Sequence, residues 1–337
     1  MKKLMITINE GGINNTNAGE KAKDDIIEIS RQNGFDQLLV NNPKTYVQKL
    51  LFLTKSYLGK LKNIYKVNAD IIVFQYAGYF PFTTDVSLKE IKKYNPYANL
   101  YLLIHDIDSL RYPAPQKWQK REYKIFNSVN GLIVHNDHMK KWLQEHGITV
   151  PIITLKIFDY LTPNAINDNK FNKKIVFAGN LEKSTFLTKL KVQTPIELFG
   201  PHPASNYPHN IKYLGVKKPA MLSKFLNQSF GLVWDGDSTH NCDGNLGNYE
   251  RYNDPHKVSL YLSAGLPVIV WRQAAIADFI LDHNVGIVID DLTSLDKVIN
   301  NISLSDYETM KQNVHTIAEQ LRRGEYTRKA LNQVEKL

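Results

Sequence analysis

Residues Tyr252–Val270 read YNDPHKVSLYLSAGLPVIV. Asp254 is a natural N-cap, and Pro255 suits the first helical position. Val258, Tyr261 and Leu262 then form an inner face, Gly265 stops the helix and a buried strand follows. His256 and Lys257 fall in the first turn, where cationic side chains oppose the helix dipole at a cost of about 0.3–1 kcal/mol. A helix that tolerates that cost gains something from an anion, because first-turn amides and the positive dipole end suit a phosphate. The alternative is a plain α/β unit with a surface His and Lys.

Three other stretches carry candidate chemistry. The turn Glu10–Gly19 (EGGINNTNAG) has two glycines for close backbone approach, and Thr16 or Asn17 can cap the helix that follows. Ala178–Ser184 (AGNLEKS) again ends a strand on glycine, with Lys183 placed to meet a diphosphate as a point charge. Tyr101–Arg111 (YLLIHDIDSLR) delivers His105, Asp106 and Asp108 at the end of an apolar strand, where ligands of open α/β sheets bind. A general base for a hydroxyl nucleophile could be Asp106 or His105. Asp235 and Asp237 frame a D-x-D after another strand, but a Gly- and Asn-rich loop follows, which reads as a mobile segment near a cleft rather than a Mg²⁺ site.

Positioning these groups takes two α/β domains with parallel sheets. Strand candidates in the first half are Leu4–Asn9, Ile71–Tyr76, Leu100–Asp106 and Gly131–Asn136, each nearly continuously apolar. The second half offers Lys174–Gly179, Ile196–Gly200, Ile211–Gly215, Phe230–Asp235, Pro267–Trp271 and Gly286–Asp290. Helices fit at Ala18–Arg31, Pro219–Gln228, Pro255–Ala264 and Ser305–Arg322. The Asn- and Asp-rich stretch 157–172 is the expected linker. It separates domains at 1–156 and 173–322, with a C-terminal helix over 323–337.

The length, 337 residues, fits about two domains. The single cysteine, Cys242, excludes an intramolecular disulfide and a CxxC zinc site. MKKLMITIN is too short in apolar residues for a secretory signal, and no run of about 18 apolar residues spans a membrane. The chain therefore reads as cytoplasmic. The net charge is +9, and residues 1–160 hold +7 of it, from 22 basic and 15 acidic side chains. That balance suits an anionic partner.

The glycine-rich first loop, the glycine-ended strand opening the second domain and the late helix running into A-G-L-P-V-I resemble a GT-B glycosyltransferase. The runs N-D-P-H-K-x-S-L-Y-L-x-A-G-L-P-V-I-V-W and T-N-A-G-x-K-A-x-x-D are more particular. They resemble the glucosyltransferase 3 family, which extends N-acetylglucosamine on serine-rich repeat adhesins, and related bacterial galactofuranosyltransferases. The resemblance covers essentially the whole chain and implies two Rossmann-like domains facing a cleft, with UDP mainly on the second. It implies that Thr16 reaches the donor phosphates. Asn180 or Lys183, Tyr213, Asn253, Asp254, Pro255, His256, Lys257 and Val258 would hold base, ribose and diphosphate. It implies no metal and no cofactor beyond the UDP-sugar. The expected activity is transfer of a hexose, glucose first, from a UDP-sugar to a glycan acceptor such as N-acetylglucosamine on a serine-rich glycoprotein. Galactofuranose transfer is the alternative, a GT-B epimerase a rival, and a non-catalytic two-domain sugar- or nucleotide-binding protein the reading from another class.

Finally, Lys44–Lys66 holds six lysines and no acid. Val47, Leu50, Leu51, Leu58, Leu61 and Tyr65 fall on one helical face. This reads either as a core-packed helix with a solvated lysine face or as a basic surface for anionic lipid or a partner subunit, the latter giving a homo-oligomer.

Overall fold

The computed structural model describes residues 1–9, 18–112 and 115–337. The first domain carries β1 (Lys3–Asn9), β2 (Phe35–Asn41), β3 (Ile71–Ala77), β4 (Asn99–Asp106), β5 (Gly131–Val134) and β6 (Ile152–Thr154). They form one parallel sheet in the order β2-β1-β3-β4-β5-β6. The second domain carries β7 (Ile175–Ala178), β8 (Ile196–Phe199), β9 (Ile211–Tyr213), β10 (Phe230–Leu232), β11 (Val268–Trp271) and β12 (Gly286–Ile289). These are also parallel, in the order β12-β11-β10-β7-β8-β9.

Each order reverses once, between β1 and β3 in one sheet and between β7 and β10 in the other. Ligands of open α/β sheets settle in the crevice outside the strand ends at such a switch point. Central strands earn their place by being apolar on both faces: every residue of β3 (IIVFQYA) is buried, and so is every residue of β7 and β11. The one polar side chain inside β3, Gln75, is satisfied by donating to Thr7 Oγ1 at 2.8 Å and by pairing with His105 Nε2 at 2.7 Å.

The edge strands lack that signature: β9 buries only Ile211 and β12 only Ile289. β2 (FDQLLVN) lies at the sheet edge and is half-exposed, and β6 is three residues long. The segment Pro219–Gln228 is shorter in helix than its pattern predicts: an α-turn at Pro219–Leu222 gives way to a 3₁₀ turn at Ser223–Phe225. The helix after Pro255 runs His256–Ser263, and its start is not capped by Asp254. That carboxylate instead accepts from Asn136 Nδ2 at 2.7 Å, across the domain boundary.

The basic segment after β2 also departs from its one-face reading. It breaks into helices Tyr46–Tyr57 and Lys62–Tyr65. Leu61 and Tyr65 enter the core, but Tyr46–Tyr57 buries no residue at all. Val47, Leu50, Leu51 and Leu58 are 52–62% exposed, so core packing does not describe that helix.

The chain closes on itself. Helix Glu325–Val334 leaves the second domain and packs on helix Ala18–Gln32 and β6 of the first. Buried Asp159 accepts from the amides of Tyr326 (3.3 Å) and Thr327 (2.6 Å), while Lys3 Nζ meets Glu335 at 2.7 Å.

Candidate active site

A cavity of about 500 Å³ lies between the domains. Its second-domain wall is built at the switch point, from Gly179, Asn180 and Lys183 after β7, Gly200 after β8 and Asp235 beyond β10. Helix His256–Ser263 brings its first two residues to the same cavity, so its N-terminus faces the space. Lys21, Arg111 and Tyr160 close it from the first-domain side. Gly200 is obligatory here: its φ is +150°, and a Cβ would lie 1.7 Å from the Gly179 carbonyl oxygen. Two strand ends thus approach each other more closely than any side chain permits.

Lys257 is the centre of charge. Its Nζ sits 2.8 Å from Asp235 Oδ1 and 4.8 Å over the Phe177 ring. Burial alone would lower its pKa, but the carboxylates of Asp235 and Glu250 outweigh that and raise it, so the ammonium stays charged. Glu250 lies beneath, buried, and accepts from Cys242 Sγ at 3.3 Å. Burial and then the neighbouring Asp235 charge push its carboxyl up toward the neutral form. His256 is the opposite case. Burial and the Lys21 charge push it down to about 3, leaving a neutral imidazole. Among the described residues its buried Nε2 has no hydrogen-bond partner.

Behind the first-domain wall, β4 ends on Asp106, which does not itself line the cavity. It pairs with Arg111 Nη1 at 3.0 Å and keeps 23% of its side chain exposed. Burial raises its pKa, and the Arg111 charge only partly offsets this, which favours a carboxylate able to accept a proton. Arg111, which sequence reasoning passed over, reaches the cavity, and Asp106 stands behind it. An arginine five residues past a strand-ending Asp carries no pattern of its own; only the one-turn helix Asp108–Arg111 brings the two together.

His105 does not line the cavity. Its Nε2 is taken by Gln75 and its carbonyl accepts from His135 Nε2 at 2.9 Å. Burial holds the ring neutral, well below the ordinary histidine range. His135 Nδ1 in turn accepts from the Asp254 amide at 3.0 Å, so this run of polar groups ties the two domains together.

The other predicted residues divide. Asn180, Lys183, His256 and Lys257 line the cavity. Asn180 also caps the 3₁₀ turn Leu181–Lys183, accepting from Glu182 N at 3.1 Å. Asn253 is half-buried and Asp254 fully buried beside it, and Pro255 flanks the helix start. Val258 is part of the core, 0% exposed, with its amide tied to the Pro255 carbonyl, so it has nothing to offer a ligand. Tyr213 stands off the cavity lining, 37% exposed, donating to the Gly200 carbonyl at 3.0 Å. Thr16 and the loop 10–17 lie outside the described residues. The D-x-D pair diverges: Asp235 serves Lys257, and Asp237 accepts from Thr185 Oγ1.

Comparison with known proteins agrees with this architecture. Residues 3–157 match the family model described as Glucosyltransferase 3-like, N-terminal domain, and residues 175–334 match Glucosyltransferase 3-like, C-terminal domain. The chain belongs to the glucosyltransferase 3-like family. It is a glycosyltransferase with two parallel-sheet domains of the GT-B type. Beta-1,6-galactofuranosyltransferase WbbI of Escherichia coli K12 is 29% identical over 98% of both chains. Glucosyltransferase 3 of Streptococcus gordonii is 26% identical over 92% of both. Among solved structures, sucrose-phosphate synthase from Thermosynechococcus elongatus superposes with a TM-score of 0.65 at 11% identity, covering 99% of this chain and 98% of that one. That likeness concerns the fold.

Proposed function

We propose that the interdomain cavity binds a UDP-sugar and that the enzyme transfers its hexose, glucose first, to a glycan acceptor such as N-acetylglucosamine on a serine-rich glycoprotein. The observation that carries this is the Lys257 ammonium, held charged at the start of a helix that faces a 500 Å³ cavity. A diphosphate placed there meets a cation and a helix N-terminus together. Loss of UDP as leaving group is favoured by the same charges, which supply the neutralisation a bound metal otherwise supplies. Asp106 is the general base for the acceptor hydroxyl, and Arg111, 3.0 Å away, holds it; the His105 ring faces Gln75 and takes no part. The named relatives make galactofuranose the second donor to test.

The test is UDP release from UDP-glucose, UDP-galactose and UDP-galactofuranose, each with and without an N-acetylglucosamine glycoside, in EDTA and in Mg²⁺. Acceptor-dependent release from one donor, equal in both buffers, is expected. No acceptor-stimulated release from any donor refutes the transfer reading, and a loss above tenfold in EDTA refutes the metal-free one.

No helix among the described residues is long and apolar enough to cross a membrane. The placement we propose is the cytoplasmic face of an anionic membrane, docked through Tyr46–Tyr57. Lys49 and Lys55 flank its exposed Tyr46, Val47, Leu50 and Leu51, a pairing that suits lipid headgroups above acyl chains. Flotation with anionic vesicles at low salt should carry the wild type upward and leave a Lys49→Gln/Lys55→Gln/Lys60→Gln/Lys62→Gln variant below. A wild type that stays down, but shifts to smaller species on the same substitutions, identifies a subunit contact instead.

A further inference from the structure

A second cavity, of about 270 Å³, opens on the first domain beside the end of β3 and β4. We propose that it holds one neutral sugar ring of the acceptor glycan, packed against Trp118 and Tyr112. This rests on the glycosyltransferase reading above and gives it an acceptor subsite.

Three aromatic rings stand around this space: Tyr79 (40% exposed), Tyr112 (44%) and Trp118 (39%). Rings gathered at one cavity, rather than exposed singly, form the kind of contiguous apolar patch that marks a ligand-binding groove. Each has one face covered by a cation: Lys23 over Tyr79 at 4.7 Å, Arg111 over Tyr112 at 5.3 Å and Arg121 over Trp118 at 5.8 Å. The rings are thus held in place before any ligand arrives.

The polar lining completes a sugar site. Asp108 presents a half-buried carboxylate, and the buried Ser109 hydroxyl oxygen has no partner among the described residues. Glu122 and Arg121 are already spoken for. Glu122 accepts from the Tyr76 hydroxyl at 2.8 Å and the Ser109 amide at 2.9 Å. Arg121 grips Asp85 through two nitrogens at 2.9 and 2.6 Å. Among the described residues no unpaired cation lines the space, so a phosphate has little to bind. A ring with apolar C–H faces and hydroxyl edges matches rings plus a carboxylate and a hydroxyl, the apolar wall with few polar groups that small-molecule sites share. The volume sits at the low end of such sites, which fits a single ring.

Gly78 shows that the approach of Asp108 is built in. A Cβ there would lie 2.6 Å from Asp108 Cγ, so the loop after β3 leaves exactly that space open to the carboxylate. The two cavities also share an element. The one-turn helix Asp108–Arg111 sends Arg111 to the donor cavity, while Asp108 and Ser109 line the second. A ring bound here is thereby linked to the donor cavity through a single turn of helix.

The probes are the methyl β-glycosides of N-acetylglucosamine, glucose and galactose, followed by saturation-transfer NMR without any nucleotide present. The wild type should saturate at least one glycoside, Trp118→Ala should abolish that signal, and UDP affinity should be equal in both proteins. Acceptor KM in the transfer assay should rise tenfold or more in Trp118→Ala and in Tyr112→Ala, with donor KM unchanged. No signal from any of the three glycosides, or a signal and an acceptor KM untouched by both substitutions, overturns the proposal. Because binding is read without a donor, a protein that binds the glycoside but releases no UDP refutes the transfer reading alone.

Discussion

Replacing Lys257 should separate two energies that the structure stacks on one atom. Lys257 is 2.8 Å from Asp235, and their side chains are only 16% and 25% exposed. A first-turn lysine judged from sequence alone looks removable without harm to the fold, but this ion pair says otherwise. Removing one partner of a fully buried pair costs about 3–5 kcal/mol. Asp235 keeps a quarter of its surface in water, so Lys257→Met should cost less, on the order of 1–3 kcal/mol, with the melting temperature falling by about 2–4 °C per kcal/mol in a domain of this size. UDP loses a charge-assisted contact of about 1.5–3 kcal/mol, so its Kd should rise by roughly ten- to hundredfold. The double variant Lys257→Met/Asp235→Asn removes the stranded carboxylate. It should regain most of the melting temperature and none of the affinity. Calorimetric titration with UDP and thermal unfolding of the three proteins decide the matter. A UDP affinity that stays within threefold of wild type in Lys257→Met, or returns in the double variant, would falsify the assignment of Lys257 to the diphosphate.

Asp106→Asn should lower turnover by about 10²–10⁴, the ordinary share of a general base, with UDP affinity unchanged; near-normal turnover removes Asp106 from the role. Asp254 is pushed up to about 8, mainly by burial, whereas the unfolded side chain ionises near pH 4. Between those values the folded protein binds more protons, so this group lowers stability as pH rises from about 4 to about 8 and adds nothing further above. Asp254→Asn, which can still accept from Asn136, should flatten that fall in denaturant titrations across the window; an unchanged slope refutes it. Gly200→Ala should not fold normally, because its Cβ would meet a backbone oxygen at 1.7 Å, and a soluble variant with a wild-type melting temperature contradicts the strand-end geometry.

Ten of the twelve strands were legible, the central ones because burial on both faces writes itself into sequence as runs such as IIVFQYA, and the edge strands β9 and β12 as short apolar runs beside a glycine. β2 escaped because an edge strand with one wet face mixes Asp and Gln into the same seven residues, and β6 because no glycine marks where its short run ends before the linker. At the site, Lys257 was legible from a local conflict, positive charge at a positive helix end, whereas His256 reaches the cavity as a neutral ring to which that conflict does not apply. Arg111, Glu250 and the Asp235 pairing were not legible, since each acquires meaning only through a contact that spans a turn or a domain boundary. Asp254 and Val258 show the reverse error. A run of residues matched as a block splits in three dimensions between cavity, interface and core, according to the 100° step of the helix.

The return of helix Glu325–Val334 to the first domain imposes an order on biosynthesis. The ribosome delivers that domain first, yet Lys3 must wait 332 residues for Glu335, and Asp159 waits for the amides of Tyr326 and Thr327. Until helix Glu325–Val334 is made, the nascent first domain lacks its cover over helix Ala18–Gln32 and β6, a state prone to wrong association. Synthesis of that helix thus acts as a checkpoint: a chain cut short before Glu325 would keep the strands of both sheets and lose the contacts that close the first domain.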